Sequence, residues 1–253
     1  MTVMANNTVV THLLKQLCLY DMRSNWEDLA QQAEECHWTY AQFLTTLCEC
    51  EITGKQQRRI QRNLVDAKLP IGKSLDTFDF TKALSINAAQ ISALAENIQW
   101  VNKAHNLLIF GPSGVGKTHL AAAIGRRLIE HGMRVLFTKT TTLVAKMQAA
   151  NKEHKLADFI GKLAKFQLLI LDDIGYVKKT EAETNVLFEL IADRYESGSL
   201  LVTSNQPFDQ WDTIFPNNSM AVAAIDRLIH HATIININEV SFRRTSKIRE
   251  LEK

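Results

Sequence analysis

One stretch constrains this chain more than any other: Gly111-Pro112-Ser113-Gly114-Val115-Gly116-Lys117-Thr118. It matches GxxxxGK[ST] in full. The apolar residues 107–110 stand directly before it, and a proline-free helical pattern over 118–131 follows, ending at Gly132. Strand, glycine-rich loop and helix in that order form a phosphate cradle. The glycines let the backbone curl and turn its N–H groups inward. The helix N-terminus adds a dipole that favours an anion. In such a cradle Lys117 supplies a point charge to the β- and γ-phosphates, and the Thr118 hydroxyl is a magnesium ligand.

A phosphate cradle needs an acidic partner at the end of another buried strand. Residues 168–173, Leu-Leu-Ile-Leu-Asp-Asp, meet that need. Asp172 is the candidate metal ligand and Asp173 the candidate for polarising the attacking water. Two adjacent carboxylates at a strand end repel unless something positive lies nearby. Many ATPases of this architecture carry Glu at the second position, and Asp is one methylene shorter. A third strand pattern, 200–203, ends in Ser204-Asn205. Asn205 is a candidate for reaching the γ-phosphate or the water, although Ser-Asn before Pro207 also reads as a turn. Arg227, in a helical stretch before the last strand, reads either as a surface residue or as a finger toward a neighbouring subunit's nucleotide. Arg243 and Arg244 are weaker sensing candidates.

From residue 76 onward, short apolar runs alternate with helical patterns. Strands are expected at 107–110, 134–138, 168–171, 200–203 and 233–237. Helices are expected at 118–131, 142–150, 156–166, 180–197 and 218–231. That alternation predicts an α/β fold, a five-stranded parallel sheet covered on both faces. Residues 1–75 read differently, as a small all-helical domain. Val9, Val10, Leu13, Leu14, Leu17 and Cys18 recur at helical spacing. Trp26, Leu29, Ala30 and Ala33 form a second stripe. Thr39 and Gln42 have the spacing of a capping box, opening a helix with Phe43, Leu44 and Leu47 on one face.

The formal net charge is only +2, which by itself neither suggests nor excludes nucleic acid. Its distribution is uneven. Residues 1–51 hold Lys15 and Arg23 against seven acids, whereas 52–75 hold six basic residues against Asp66. Lys55, Arg58, Arg59 and Arg62 in that basic stretch read equally as a phosphate-contacting surface and as a solvated helix face. The same two readings, a surface facing DNA and solvated helix charges, apply to Lys139-Thr140-Thr141-Thr142 with Lys146, Lys152 and Lys155. The four cysteines, Cys18, Cys36, Cys48 and Cys50, are expected as buried or half-buried thiols on helices. Their spacing is not that of a zinc site, although Cys36-His37 makes one conceivable. No apolar run approaches the ~18–20 residues of a membrane span, and no signal-peptide pattern opens the chain. The expected location is cytoplasmic.

Taken in order, GPSGVGKTHLA, LLILDDIG, TSNQPF, DRLIHHATIIN and a late SFR resemble the IstB-type ATPases that assist a bacterial transposase. These belong to the AAA+ class and are related to DnaC-type helicase loaders. WTYAQFL, RRIQRN and LDTFDF near the front are similar to that family too. The resemblance implies ATP and Mg2+ as cofactors, assembly into an oligomer on double-stranded DNA, DNA remodelling and stimulation of a transposase. It assigns residues 111–118 to ATP, Thr118 and Asp172 to magnesium, Asp173 to hydrolysis, Asn205 to γ-phosphate sensing and Arg227 to the finger. Asp at position 173 is not unusual in that group. Phe78 and Phe80 would line the nucleotide base, or serve as ordinary core aromatics. The little chain after Ile237 implies no full helical lid. The other readings are a helicase loader, a small-molecule kinase and a non-catalytic nucleotide-dependent scaffold. The acid pair and Asn205 favour hydrolysis over the kinase, and the intact Lys117, Thr118 and acid pair speak against the scaffold.

Overall fold

A computed structural model describes residues 2–175, 180–207, 210–211 and 218–239. Contacts divide the chain into two compact units, residues 1–62 and 63–253.

In the second unit, five strands form one parallel sheet: β1 (Asn106–Phe110), β2 (Val135–Lys139), β3 (Leu168–Asp172), β4 (Ser199–Ser204) and β5 (Ala232–Asn236). Their spatial order is β2-β3-β4-β1-β5. Every residue of the three inner strands, β1, β3 and β4, is buried. The edge strands β2 and β5 are only partly buried. This is why the inner strands read as continuous apolar runs: helices cover both of their faces.

All five strands and the five helices foreseen after the phosphate loop are present, each within a few residues of its expected ends. Among the described residues three α-helices open the chain and two more precede β1. The foreseen helices are therefore α6 (Lys117–Glu130), α7 (Thr140–Lys152), α8 (Leu156–Leu163), α9 (Glu181–Arg194) and α10 (Asn218–Ile229). Two short helices were not foreseen: α4 (Ala88–Glu96) and α5 (Gln99–Asn102). Asn87 opens α4 by accepting the N–H groups of Ala89 and Gln90. Trp100 of α5 is buried and donates its indole N–H to the Leu94 carbonyl. Helices this short bury too few residues to leave a clear periodic stripe.

Buried polar groups pin the elements together. Asn106 receives the Leu200 N–H at 2.9 Å and donates to the Leu228 carbonyl at 3.0 Å, joining the starts of two strands to the end of α10. Arg194, 3% exposed, donates to the carbonyls of Phe166, Gln167 and Ser199. Its guanidinium serves the loops that enter β3 and β4. Burial holds its pKa down at about 10, so it stays charged at neutral pH.

The first unit is helical: α1 (Thr2–Gln16), α2 (Tyr20–Glu35) and the part of α3 (Tyr40–Ala67) up to Arg62. The capping box at Thr39 forms as expected, with reciprocal bonds between Thr39 and Gln42. Glu51 of α3 is 2% exposed and accepts the N–H groups of Asp21 and Met22. A carboxylate thus sits on the positive end of α2. The α1 stripe is only half covered. Val10 and Leu14 are half-buried, whereas Val9, Leu13 and Leu17 are exposed. All four cysteines are free, and Cys18 and Cys36 are exposed. No helix is long and apolar enough to cross a membrane among the described residues.

Candidate nucleotide site

The loop 111–116 joins the end of β1 to α6, as its sequence requires. Gly116 occupies the position before α6 with φ 99°. A β-carbon there would stand 2.9 Å from Phe78 Cε2. Gly111 has φ 153°, and a β-carbon on it would stand 2.4 Å from the Ile237 carbonyl oxygen. At both positions only glycine fits. The loop is thus seated between the end of β5 on one side and Phe78 on the other.

Lys117 is 7% exposed and its ammonium donates to the Gly111 and Pro112 carbonyls, at 2.8 and 2.9 Å. It lies across its own loop. Thr118 Oγ1 donates to the Asp172 carboxylate, 2.9 Å from Oδ1 and 3.2 Å from Oδ2. The last residue of the phosphate loop and the acid ending β3 are therefore in direct contact, although 54 residues separate them. A hydroxyl and a carboxylate, both hard oxygen donors, suit Mg2+.

Asp172 is 5% exposed and is held on three sides. Besides Thr118, Thr203 Oγ1 donates to its Oδ1 at 2.8 Å, and Thr140 Oγ1 donates to its backbone carbonyl at 3.0 Å. Asp173 follows with φ 66°, a left-handed conformation that costs a non-glycine residue energy. Its N–H donates to Thr203 Oγ1 at 2.8 Å. The turn is continued by the Ile174 N–H on the Thr203 carbonyl.

Thr203, Thr140 and His119 were missed by sequence reasoning. Thr203 is a buried hydroxyl in an otherwise apolar strand, and that mismatch was the available signal. Thr140 was read among residues facing DNA, but it is fully buried beneath Asp172. His119 Nε2 lies 3.0 Å from the Ser74 carbonyl and 3.1 Å from Thr77 Oγ1. Its ring meets Phe78 edge-on, and Phe78 meets Phe80 in the same way. Phe78 is buried against the loop and Phe80 is half-buried. Burial pushes the His119 pKa below its ordinary value, with the Ser74 carbonyl opposing the shift.

Asn205 follows β4, beside β1. Its Oδ1 is buried and has no hydrogen-bond partner, as is Gln206 Oε1. Such orphaned acceptors are uncommon and costly. Arg227 is not brought to its own phosphate loop. It lies in the last turn of α10, where the sheet's strands begin, whereas the loop follows a strand's end. There it donates to the Ala223 carbonyl and lies over the Phe188 ring. Arg243, Arg244 and the late SFR lie outside the described residues.

The basic candidates divide. Arg58 is paired with Asp21 and Glu51 and lies 5.7 Å from the Tyr20 ring centre. Lys55 is exposed and 3.5 Å from Glu51. Arg59 and Arg62 are exposed. Lys139, Lys146, Lys152 and Lys155 are also exposed, with Lys155 paired to Glu153.

The family described as IstB-like ATP binding protein matches residues 12–250. A putative insertion sequence ATP-binding protein of Sinorhizobium fredii is 50% identical over 92% of this chain and 78% of its own length. The IS21 putative ATP-binding protein of Pseudomonas aeruginosa is 36% identical, over 93% of this chain and 88% of its own. Among solved structures, the DnaC helicase loader superposes with TM-score 0.57 at 22% identity, covering 66% of this chain and 97% of that one. AMPPCP-bound DnaA from Aquifex aeolicus gives TM-score 0.56 at 19% identity, covering 73% and 56%. At these identities the two structures speak to the fold alone, the five-stranded parallel sheet with its phosphate loop and covering helices.

Proposed function

The chain belongs to the IstB-like ATP-binding family, and on that premise we propose that it is an ATP-hydrolysing helper of a transposase that assembles on double-stranded DNA. The observation that carries the nucleotide chemistry is the contact of Thr118 with Asp172. In this reading the loop N–H groups and Lys117 hold the β- and γ-phosphates. Thr118 and Asp172 would hold Mg2+, which when bound would neutralise charge on the phosphate oxygens. Asp173 accepts a hydrogen bond from the attacking water and orients it toward the γ-phosphate. Asn205 offers its buried Oδ1 to the same water. Phe78 and Phe80 flank the base.

The DNA, oligomer and transposase parts of this reading rest on the family and on its relatives' names as insertion sequence proteins. Arg227 supports the oligomer: its distance from its own loop suits a finger that completes a neighbour's site. Exposed Lys139, Lys146 and Lys152 on or beside α7 in the second unit, and separately Arg59 and Arg62 in the first, offer phosphate-contacting charges. The likeness to DnaC concerns the fold and does not favour helicase loading.

Lys117→Ala decides the nucleotide assignment. It is expected to abolish ATP binding, measured by fluorescent-nucleotide titration, and with it ATP hydrolysis on duplex DNA. Retained turnover would overturn the site.

A further inference from the structure

A second cluster of chemically active side chains lies away from the phosphate loop. Glu196, His230 and His231 each present a ligand atom within 4.8 Å of the other two, and all three are exposed. Glu196 follows α9 and the histidines join α10 to β5. The cluster therefore lies at the end of the sheet where strands begin, and the phosphate loop follows the end of β1.

Consecutive residues ordinarily point apart. Here the turn between α10 and β5 brings the two imidazoles together, with ring centres 4.1 Å apart. The arrangement is anchored. The His231 carbonyl accepts the Asn106 N–H at 2.7 Å, so its backbone is tied to the start of β1. The His231 ring stacks on His105, 12° from parallel. His230 Nδ1 lies 2.9 Å from the Tyr195 hydroxyl. An imidazole that gives one N–H to a neighbour keeps the other nitrogen's lone pair for a metal, the usual outer-shell support of a ligating histidine. Glu196 is held at φ 59°, a left-handed turn out of α9.

We propose that Glu196, His230 and His231 bind one divalent transition-metal ion of the zinc class, at a site separate from the nucleotide's magnesium. Two neutral imidazoles and one carboxylate are borderline ligands. They suit Zn2+, Co2+ or Ni2+ far better than Mg2+, which demands hard oxygen donors. Ligand bonds of about 2.0–2.2 Å call for donors closer together than 4.8 Å, a gap that exposed side chains close by rotation. Water completes the coordination on the open side. The ion would clamp the end of α9 to the end of α10, the helix that carries Arg227.

The test is Co2+ titration of the full chain, reduced and metal-free, in excess Mg2+. Visible absorption and calorimetry are recorded together. The expected result is one ion per chain, with d–d bands of a nitrogen and oxygen site and no thiolate charge-transfer band. His231→Ala and Glu196→Gln should each weaken affinity by about tenfold or more. Their metal-free melting curves should match the parent's, since these side chains are exposed. Three results would overturn the proposal: no saturable binding, unchanged affinity in both variants, or thiolate bands that place the ion on the cysteines. Lys117→Ala should bind Co2+ like the parent, so this site can fail or stand without the nucleotide reading.

Discussion

Thr203 Oγ1 lies 2.8 Å from Asp172 Oδ1, so a hydroxyl of β4 holds the carboxylate that ends β3. The same oxygen accepts the Asp173 N–H. One side chain, 1% exposed, thus holds the carboxylate of Asp172 and the backbone of Asp173. Thr203→Val keeps the shape and removes both bonds. ATP hydrolysis is expected to fall by about 10–100-fold, with ATP affinity nearly unchanged. Thr203→Ser should recover most of the rate. Phosphate release and nucleotide titration separate the two effects, and parent-like turnover in the valine variant would refute the role.

Arg194 donates to three backbone carbonyls, those of Phe166, Gln167 and Ser199. Arg194→Met fills much of the space but leaves these acceptors unpaired. The expected loss is about 3 kcal/mol or more of unfolding free energy. Arg194→Lys should cost less, because an ammonium still reaches some of them. Urea denaturation of both variants gives the comparison.

His119 couples folding stability to pH. Burial lowers its pKa from the ordinary 6.5, the Ser74 carbonyl raises it, and the Lys73 charge lowers it. The sign follows from proton counts. As pH falls through 6.5 the unfolded chain takes up a proton at this position before the folded chain does. The folded state is therefore penalised in acid, and the penalty is absent above that range. Between about pH 7.5 and 5.5 the melting temperature of the parent should fall further than that of His119→Gln. Parallel curves would mean that His119 titrates normally.

The basic stretch of α3 holds two kinds of arginine. Arg58 is committed to Asp21 and Glu51 within the first unit. Arg59 and Arg62 are exposed. Replacing Arg59 and Arg62 with Ala should flatten the salt dependence of duplex affinity by about one to two units of slope. Arg58→Ala should instead lower thermal stability and leave that slope nearly intact. Filter binding across a salt series checks both, and an identical slope in the double variant would leave these side chains as a solvated face.

Much of the fold was legible because the inner strands carry their burial in their composition. Residues 168–171 are apolar without a break, and all are fully buried. The phosphate loop was legible because φ above zero at Gly111 and Gly116 demands glycine. The positions around the acids were harder to see. Thr118 and Asp172 could be paired by motif, but Thr203 and Thr140 reach Asp172 only through strand order, which sequence does not display. In the helical unit spacing and burial part company: the α1 stripe shares one face, yet Leu13 and Leu17 are exposed. Periodicity reports which residues share a face and not whether anything covers it. The change in texture near residue 75 and the change in contacts after Arg62 are likewise different things. α3 continues past Arg62, and its Asn63 donates to the Met133 carbonyl within the second unit.

The Lys117 ammonium already has two oxygen partners, the Gly111 and Pro112 carbonyls. Those carbonyls belong to the loop's own backbone, six and five residues before the lysine. The side chain therefore braces the curve of the loop as well as carrying its charge. A change at position 117 removes a cation and two struts together, so charge and loop shape cannot be varied independently at this position.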